Sequence, residues 1–355
     1  MIRQAMKLTE DLTNFDYLRR PIKTSARESG AIPYLGASGQ VDTVASFTHD
    51  GAYLCVSEDG ENLRSRKTPI AWVQQGKFWA NNHLHVLGGV SVSRLRFFAG
   101  ALAWLDVSGY ITGSAQPKLS QASLDRIEIP YFSANEQKAI GEILGALDDK
   151  IAANRRIIET GESLGDALFS SAARAASDST PAGTYFDLAY GRALPTAVRK
   201  DGPVPVYGSG GIVGRHDTSL FGGPGVIVGR KGSVGTVYWA EDGAFPIDTT
   251  FFVRPHGIPH AFAYLLLKRM RLPLMAADSA VPGLNRARVL QEFVPALSQA
   301  DAHRLAAQVS PLFTKIHQLE RENTALARTR DELLPLLMSG RITIKDAEKR
   351  VEKEV

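Results

Sequence analysis

Cysteine is nearly absent from this chain. Cys55 stands alone among 355 residues, so no disulfide framework can hold the fold, and a reducing compartment is expected. Cys55 lies in the apolar run Tyr53–Val56 and is expected to be a buried thiol. Long hydrophobic runs are missing as well. The longest apolar stretch, Ala261–Leu267, falls far short of the ~20 residues a membrane-spanning helix needs. The opening MIRQAMKLTEDL lacks the apolar core of a secretory signal, so a cytoplasmic location is expected.

Catalytic signatures are missing too. Neither GxSxG nor HExxH occurs, nor an Asn-Pro-Pro-Tyr-type tetrapeptide of an amino-methyltransferase. Gly225–Ser233 (GVIVGRKGS) falls short of a phosphate-binding loop because no Gly-Lys precedes its serine. His83 and His85 share a strand face with no carboxylate or cysteine adjacent, and His256 and His260 flank Gly257 and Pro259. No metal site is expected from either pair. An enzyme is therefore the least supported function class.

What is present is a fold-sized composition and a repeat. Hydrophobic residues make up 44% and charged residues 22%, ordinary for a folded protein. The length suits two globular domains plus extra helix. A net charge of +4 allows a nucleic-acid partner without requiring one. Ile32–Gly39 (IPYLGASG) returns as Val204–Gly211 (VPVYGSGG), an offset of 172 residues from Pro33 to Pro205. Gly36 matches Gly208, Gly39 matches Gly211, and Gly60 matches Gly232. Further on the offset is 165: Gly113–Leu119 answers Asp278–Leu284, and Ile129-Pro130 answers Val294-Pro295. A long-period repeat means duplicated domains. The recurring glycines are expected to supply tight turns with positive φ.

A helical pattern follows each copy. Ser133 and Glu136 form a capping-box signature. After them Ile140, Leu144, Leu147, Ile151 and Ile158 recur at helical period without a proline until Pro181. Ser298 and Asp301 repeat the start, and Leu312, Ile316, Leu319, Leu326 and Leu333 carry a second stripe. Gly161 and Gly165 are expected weak points, Pro311 and Pro335 possible bends, and Gly340 a stop. Each helix, about 40 residues, would span roughly 60 Å. Two amphipathic helices of that length need partners. Mutual pairing as an antiparallel coiled coil is the economical solution. The alternative is that each helix packs only on its own globular domain.

The remaining blocks are rich in glycine, proline and short apolar runs such as Ala71–Val73, Val226–Val228, Thr236–Trp239 and Thr250–Val253, with a small helix expected at Ala261–Met270. The expected fold is α+β: two tandem α/β domains, 1–132 and 177–297, and two long antiparallel helices, 133–176 and 298–343, in pseudo-twofold arrangement. A charged, frayed tail is expected over 344–355.

Taken together, PYLGASGQVD (Pro33–Asp42), SEDGENLRSR (Ser57–Arg66), GKFWANNHLHVL (Gly76–Leu87), the segment Pro117–Ile151, VYGSGGIVG (Val206–Gly214), VGRKGSVGTVYW (Val228–Trp239) and LERENTALARTRDELLPLLMSGRI (Leu319–Ile342) resemble the specificity subunit of a type I restriction-modification system. The resemblance implies a non-catalytic reader of double-stranded DNA with a bipartite site. Each globular domain would read one half-site. The helices would set the spacer and dock two modification (methyltransferase) subunits, and through them the restriction (translocase/endonuclease) subunits. S-adenosylmethionine, ATP and Mg would belong to those partners, with no cofactor on this chain. The first domain's NNHLH differs from the second's PIDTTFF, which implies two different half-sites. Half-sites read from one DNA face lie about 34 Å apart, within the reach of such helices. The competing reading is a protein-interaction scaffold that does not read DNA.

Asn, Gln, Arg, Lys and small hydroxyl side chains hydrogen-bond base edges and phosphates. On that inventory the expected DNA contacts are Ser38, Asn62, Arg64, Lys77, Asn81, Asn82 and His83 in the first domain. In the second they are Ser209, Arg215, Arg230, Lys231, Ser233 and Thr249.

Overall fold

The two longest elements begin where the serines place them. In this computed structural model, which describes residues 4–275 and 283–352, the Ser133 hydroxyl accepts from the Glu136 N–H, and the Glu136 carboxylate accepts from the Ser133 N–H at 2.9 Å. The Ser298 hydroxyl likewise accepts from the Asp301 N–H at 3.1 Å, and it donates to the Asp301 carboxylate at 2.7 Å. These start signals satisfy orphan backbone donors of the first turn.

The chain divides into two units, residues 1–153 with 323–355, and residues 154–322. Along the first unit run β1 (Ala5–Lys7), β2 (Thr13–Asn14), β3 (Ile32–Gly36), β4 (Gly39–Val44), β5 (His49–Ser57), α1 (Asn62–Ser65), β6 (Ala71–Ala80), β7 (Leu84–Gly88), α2 (Val92–Trp104), α3 (Gln121–Leu124) and β8 (Glu128–Pro130). The long helix α4 (Ala134–Ala175) starts in this unit and ends in the second. The second unit holds β9 (Ser179–Pro181), β10 (Phe186–Tyr190), β11 (Val204–Gly208), β12 (Gly211–His216), β13 (Gly225–Gly229), β14 (Val237–Ala240), β15 (Phe245–Pro246), β16 (Thr250–Pro255), α5 (His260–Arg269), α6 (Leu272–Met275), α7 (Arg286–Gln291) and β17 (Phe293–Pro295). The second long helix, α8 (Gln299–Met338), starts here and ends in the first unit, followed by α9 (Ile344–Val351).

In the first unit a six-stranded sheet runs β2-β7-β5-β6-β3-β4. Strand alternation splits its residues between two faces. Leu54, Val56 and Leu87 pack on α2 and the long helices. Leu35, Cys55, Phe78, Leu84 and Val86 form a second core with Phe15, Tyr53 and Trp72. Cys55 is fully buried there, and burial pushes its thiol far above the ordinary range, so it is inert.

The second unit repeats the hairpin of this frame, while its strands form two sheets, β10-β16-β13-β14 and β12-β11-β15. β3 pairs β4 from Ile32↔Val44 to Gly36↔Gly39, with a bulge between Tyr34 and Leu35. β11 pairs β12 from Val204↔His216 to Gly208↔Gly211, with a bulge between Val206 and Tyr207. Each hairpin then pairs in parallel with the next strand, Tyr34↔Trp79 and Val206↔Phe245. Gly39 and Gly211 turn the hairpins at φ of 104° and 109°, where a side chain would be strained. Even Arg27 and Arg199 repeat, each Nε donating at 3.3 Å to a carbonyl five residues back, Ile22 and Leu194. The counterpart segment Asp278–Leu284 lies largely outside the described residues.

Within each unit the long helices lie antiparallel. In the first, Ile140, Leu144, Leu147 and Ile151 share one core with Leu326, Leu333 and Leu337, and Arg330 donates to Asp148 at 2.8 Å. In the second, Asn154 donates to Glu322 at 3.0 Å, the edge of Gly161 faces Ile316, and that of Gly165 faces Phe313. The expected weak points are thus close-approach positions: absent side chains let an isoleucine and a phenylalanine in. Leu319 is buried; Ile158, Leu312 and Ile316 are half-buried. The main second-unit contacts come from Phe169, Leu305, Val309 and Phe313. Pro311 and Pro335 both fall inside α8 and do not divide it. The helix ends before Gly340, whose φ is 69°.

The tail departs from expectation. Residues 344–351 are helical rather than frayed. Thr343 and Asp346 form a complete capping box, and Ala347 and Val351 are buried in the first unit's core. The charged residues occupy the outer face, and Ile342 and Ile344 pack beside the two buried positions to dock the short helix.

Leu147 and Leu319 are 0% and 3% exposed. Leu147→Asp or Leu319→Asp leaves an unpaired charge in the core and is expected to cost more than about 2 kcal/mol. Chemical denaturation of each variant checks this; unchanged stability in both would refute the packing.

Candidate nucleic-acid interface

In each unit a set of turns meets beyond the hairpin. In the first, the β3–β4 turn presents Ser38, exposed. The carbonyl of its neighbour Ala37 accepts from the Ser57 hydroxyl at 2.5 Å. The β6–β7 turn holds Asn81, Asn82 and His83. Its backbone is fixed to both neighbours: the Asn81 N–H donates to Leu35 O at 3.1 Å, and His83 O accepts from the Glu58 N–H at 3.0 Å. Asn81 is buried, its Oδ1 accepting from the His83 N–H at 2.8 Å, so it shapes the turn. Asn82 and His83 are exposed. His83 Nδ1 lies 2.7 Å from an Asp59 carboxylate oxygen, which ties the half-exposed ring to the loop after β5.

The loop after β5 completes the cluster. Asn62 closes it by donating to Thr68 O at 2.9 Å and accepting from the Thr68 N–H at 3.0 Å. Arg64 is exposed and donates to the carbonyls of Gly113 and Ser114. Lys77 does not join the group. It stands on β6 opposite Asp50, with its ammonium 4.7 Å from the Phe47 ring centre.

The second unit assembles the equivalent turns. Ser209 O accepts from the Thr236 hydroxyl at 2.7 Å and the Tyr238 hydroxyl at 3.0 Å. Thr249 O accepts from the backbone N–H groups of Arg230 and Lys231. Lys231 and Ser233 are exposed beside them. The Arg230 guanidinium donates to Asp248 O at 2.8 Å and lies 5.2 Å from the Tyr190 ring centre. Arg215 stands apart on β12, donating to Pro203 O at 2.6 Å.

The two clusters share backbone wiring and differ in charge. Leu119 donates its N–H to Glu58 O, and Leu284 donates to Arg230 O; Glu58 and Arg230 occupy equivalent positions. Glu58 is clamped by Arg19 at 2.5 Å and Lys118 at 3.1 Å. Asp59, Glu58, Lys118, Thr236 and Tyr238 were not among the expected contacts. The acidic start of SEDGENLRSR was the only signal for the first two.

Behind the first cluster sits a buried cation. His85 is 1% exposed, with Nδ1 2.6 Å from Asp16 and Nε2 2.8 Å from Leu119 O. Carboxylates that the sequence does not place beside the histidines thus arrive from distant segments. Both ring nitrogens face acceptors, so both carry protons. Burial alone would lower the His85 pKa, but Asp16, the Leu119 carbonyl and Glu58 hold it above its ordinary value. Burial would raise Asp16, yet the His85 and Val86 hydrogen bonds hold it below. Among the described residues no cluster has the make-up of a metal site.

The signs follow from linkage. The raised His85 stabilises the fold below its unfolded pKa of about 6.5; that contribution is lost as pH rises through the folded value. The lowered Asp16 contributes above about 3.9 and is lost as pH falls. The melting temperature is therefore expected to decline from pH ~6 to ~9, and His85→Gln to flatten that decline. Parallel slopes in the two proteins would refute the pairing.

Residues 6–160 match the model of the type I restriction modification DNA specificity domain. A Haemophilus influenzae protein named as a type I restriction enzyme specificity subunit is 39% identical over 129 residues, 36% of this chain and 33% of that protein. The chain thus aligns with about a third of that relative's length. The crystal structure of the type I restriction-modification S subunit from M. genitalium superposes with a TM-score of 0.75 at 20% identity, covering 94% of this chain and 96% of that one. It has the same fold. The HsdS subunit from Thermoanaerobacter tengcongensis aligns over 96% of this chain and 97% of its own, with a TM-score of 0.33 and 12% identity.

Proposed function

We propose that this chain, whose residues 6–160 match the type I restriction modification DNA specificity domain, is the sequence-reading subunit of such a system. Each unit reads one half of a bipartite duplex site through its turn cluster. The observation that carries this is the duplicated frame with unlike side chains at its turns, Asp59 in one copy and exposed Lys231 in the other. Acidic side chains accept from the cytosine amino group, and arginine and lysine donate to guanine or phosphate. Two unlike clusters on one frame fit a target with two unlike halves.

The described helices α4 and α8 pass from one unit to the other, and their fixed length would set the spacer. Ile157 and Leu164 on α4 remain exposed, the kind of apolar surface a subunit covers. We assign docking of two modification subunits, one per helical repeat, to such surfaces. Methyl transfer, translocation and cleavage, with S-adenosylmethionine, ATP and Mg, belong to the partner subunits. Among the described residues no helix is long and apolar enough to cross a membrane.

Base readers and phosphate contacts separate by their response to sequence and salt. His83→Ala is expected to cost about 1–3 kcal/mol and to relax one position of one half-site. Lys231→Ala is expected to weaken binding to every sequence and to lower the salt slope by about one. Binding isotherms on site variants at several salt concentrations decide; a sequence-independent loss for His83→Ala removes it from the readers.

Modularity has a direct test. Residues 177–297 are exchanged for those of another family member and the chain is assembled with its modification subunits. Methylome sequencing should show one half-site changed, with the other half and the spacer kept. Mass measurement of the assembled complex should give two modification subunits per chain. A swap that altered both halves, or neither, sinks the reading.

A further inference from the structure

The second unit carries an open basic groove beside its turn cluster. It measures about 710 Å³ and lies along β10 and β16, with Arg192, Arg254 and Arg286 in its lining. One carboxylate, Asp187, stands among these three guanidiniums. Both of its oxygens accept from Arg286, at 2.5 and 2.6 Å. Arg254 stands opposite Asp187 in the strand register, with its guanidinium 5.6 Å from the Phe252 ring centre. Arg192 and Arg254 are exposed, and neither forms an ion pair with the described residues. The groove therefore holds two uncompensated positive charges.

The groove is continuous with the turn cluster. Tyr190 lines it, and the Arg230 guanidinium lies 5.2 Å from the Tyr190 ring centre. The first unit has no counterpart to Arg254. Glu58 and Arg230 are equivalent, so Ser57 and Gly229 are too. Ser57 pairs with Leu84 as Gly229 pairs with Thr250, which puts Gly88 where Arg254 stands. Across the sheet Gly88 faces Thr13, where Arg254 faces Asp187. A Cβ at Gly88 would meet Tyr53 at 3.0 Å and Phe15 at 3.1 Å, so two rings crowd the space a side chain would need.

Guanidiniums without carboxylate partners are the groups that neutralise backbone phosphates, and an aromatic face keeps one of them ordered. We propose that this groove seats the phosphodiester backbone of the target duplex beside the second half-site, through Arg192 and Arg254, and that the first unit holds its half-site without this anchor. The inference rests on the DNA-reading assignment and adds which unit grips the backbone and with which side chains.

The site that methylome sequencing finds is placed in a labelled duplex and titrated, by fluorescence anisotropy, with the full chain assembled with its modification subunits. Joint substitution Arg192→Gln and Arg254→Gln should lower the slope of log affinity against log salt by about 1.8, two phosphates at about 0.9 each. The loss should be the same on duplexes mutated at single base pairs of the site. Each single variant should show half the change, so the test stands if the double variant does not fold, and Arg254→Lys should keep most of the slope. Neutral methylphosphonate linkages beside the second half-site should weaken the unaltered assembly severalfold and leave the double variant nearly unaffected. Beside the first half-site they should affect both assemblies alike. Specific binding with an unchanged salt slope in the variants overturns this inference and leaves the DNA-reading assignment standing. So does an equal methylphosphonate effect on both assemblies beside the second half-site, or a loss confined to one base pair. Absence of site-specific binding by the unaltered assembly overturns both.

Discussion

Neither long helix can bury its apolar stripe without the other. α4 and α8 carry 42 and 40 residues, far more than one small domain can cover. Their antiparallel pairing supplies the missing surface, and the local details of the helices serve it. Gly161 and Gly165 omit side chains where Ile316 and Phe313 enter. In the first unit a Cβ at Gly141 would meet the Ser93 carbonyl oxygen at 1.7 Å, so glycine there is what lets α2 lie against α4. Each globular sheet then packs on a helical pair through one face, Leu54 and Val56 in one unit, Val226 and Val228 in the other. The opposite face holds a second, smaller core, Cys55 and Phe78 in one unit and Ile227 and Ala240 in the other, and the turns lie beyond it.

This arrangement explains which parts of the molecule were legible in the sequence. Helix starts rest on local hydrogen bonds between Ser133 and Glu136 and between Ser298 and Asp301, so a four-residue pattern specifies them. The duplicated hairpins were legible because glycines at Gly39 and Gly211 meet a backbone requirement that few other residues satisfy. The resemblance to specificity subunits drew on these same elements, and they form the shared fold. The tail misled because its charges dominate the composition, although Ala347 and Val351, with Ile342 and Ile344 beside them, seat it. Phe313 escaped the stripe reading because helical period identifies a face, not which of several apolar residues on it meets a neighbour.

The candidate site was legible only in part, for a different reason. Residue type marks hydrogen-bonding capacity but not whether the fold has spent it. Asn62, Arg64, Arg215 and Arg230 each give side-chain hydrogen bonds to backbone carbonyls. Asn81 is buried shaping its own turn. The pair His83 and Asp59 joins residues 24 positions apart. No local pattern announces such a contact. It exists because the β6–β7 turn and the loop after β5 are tied together through Glu58 and His83 backbone atoms.

The two copies therefore separate backbone framework from side-chain identity in an unusually direct way. Backbone contacts are kept: the bulge, the hairpin glycine, the parallel pairing, and the N–H donation from Leu119 to Glu58 and from Leu284 to Arg230. At that last contact the framework interaction uses only the main-chain carbonyl, so the side chain is free of it and the charge reverses from Glu58 to Arg230. Each charge then needs its own compensation. Glu58 gathers Arg19 and Lys118, while Arg230 rests on Tyr190 and the Asp248 carbonyl. A position fixed through its backbone and variable through its side chain can change what a domain recognises without unfolding it. The reversal at 58 and 230 shows that latitude within a single chain, where both versions must fold under the same conditions and on the same pair of helices.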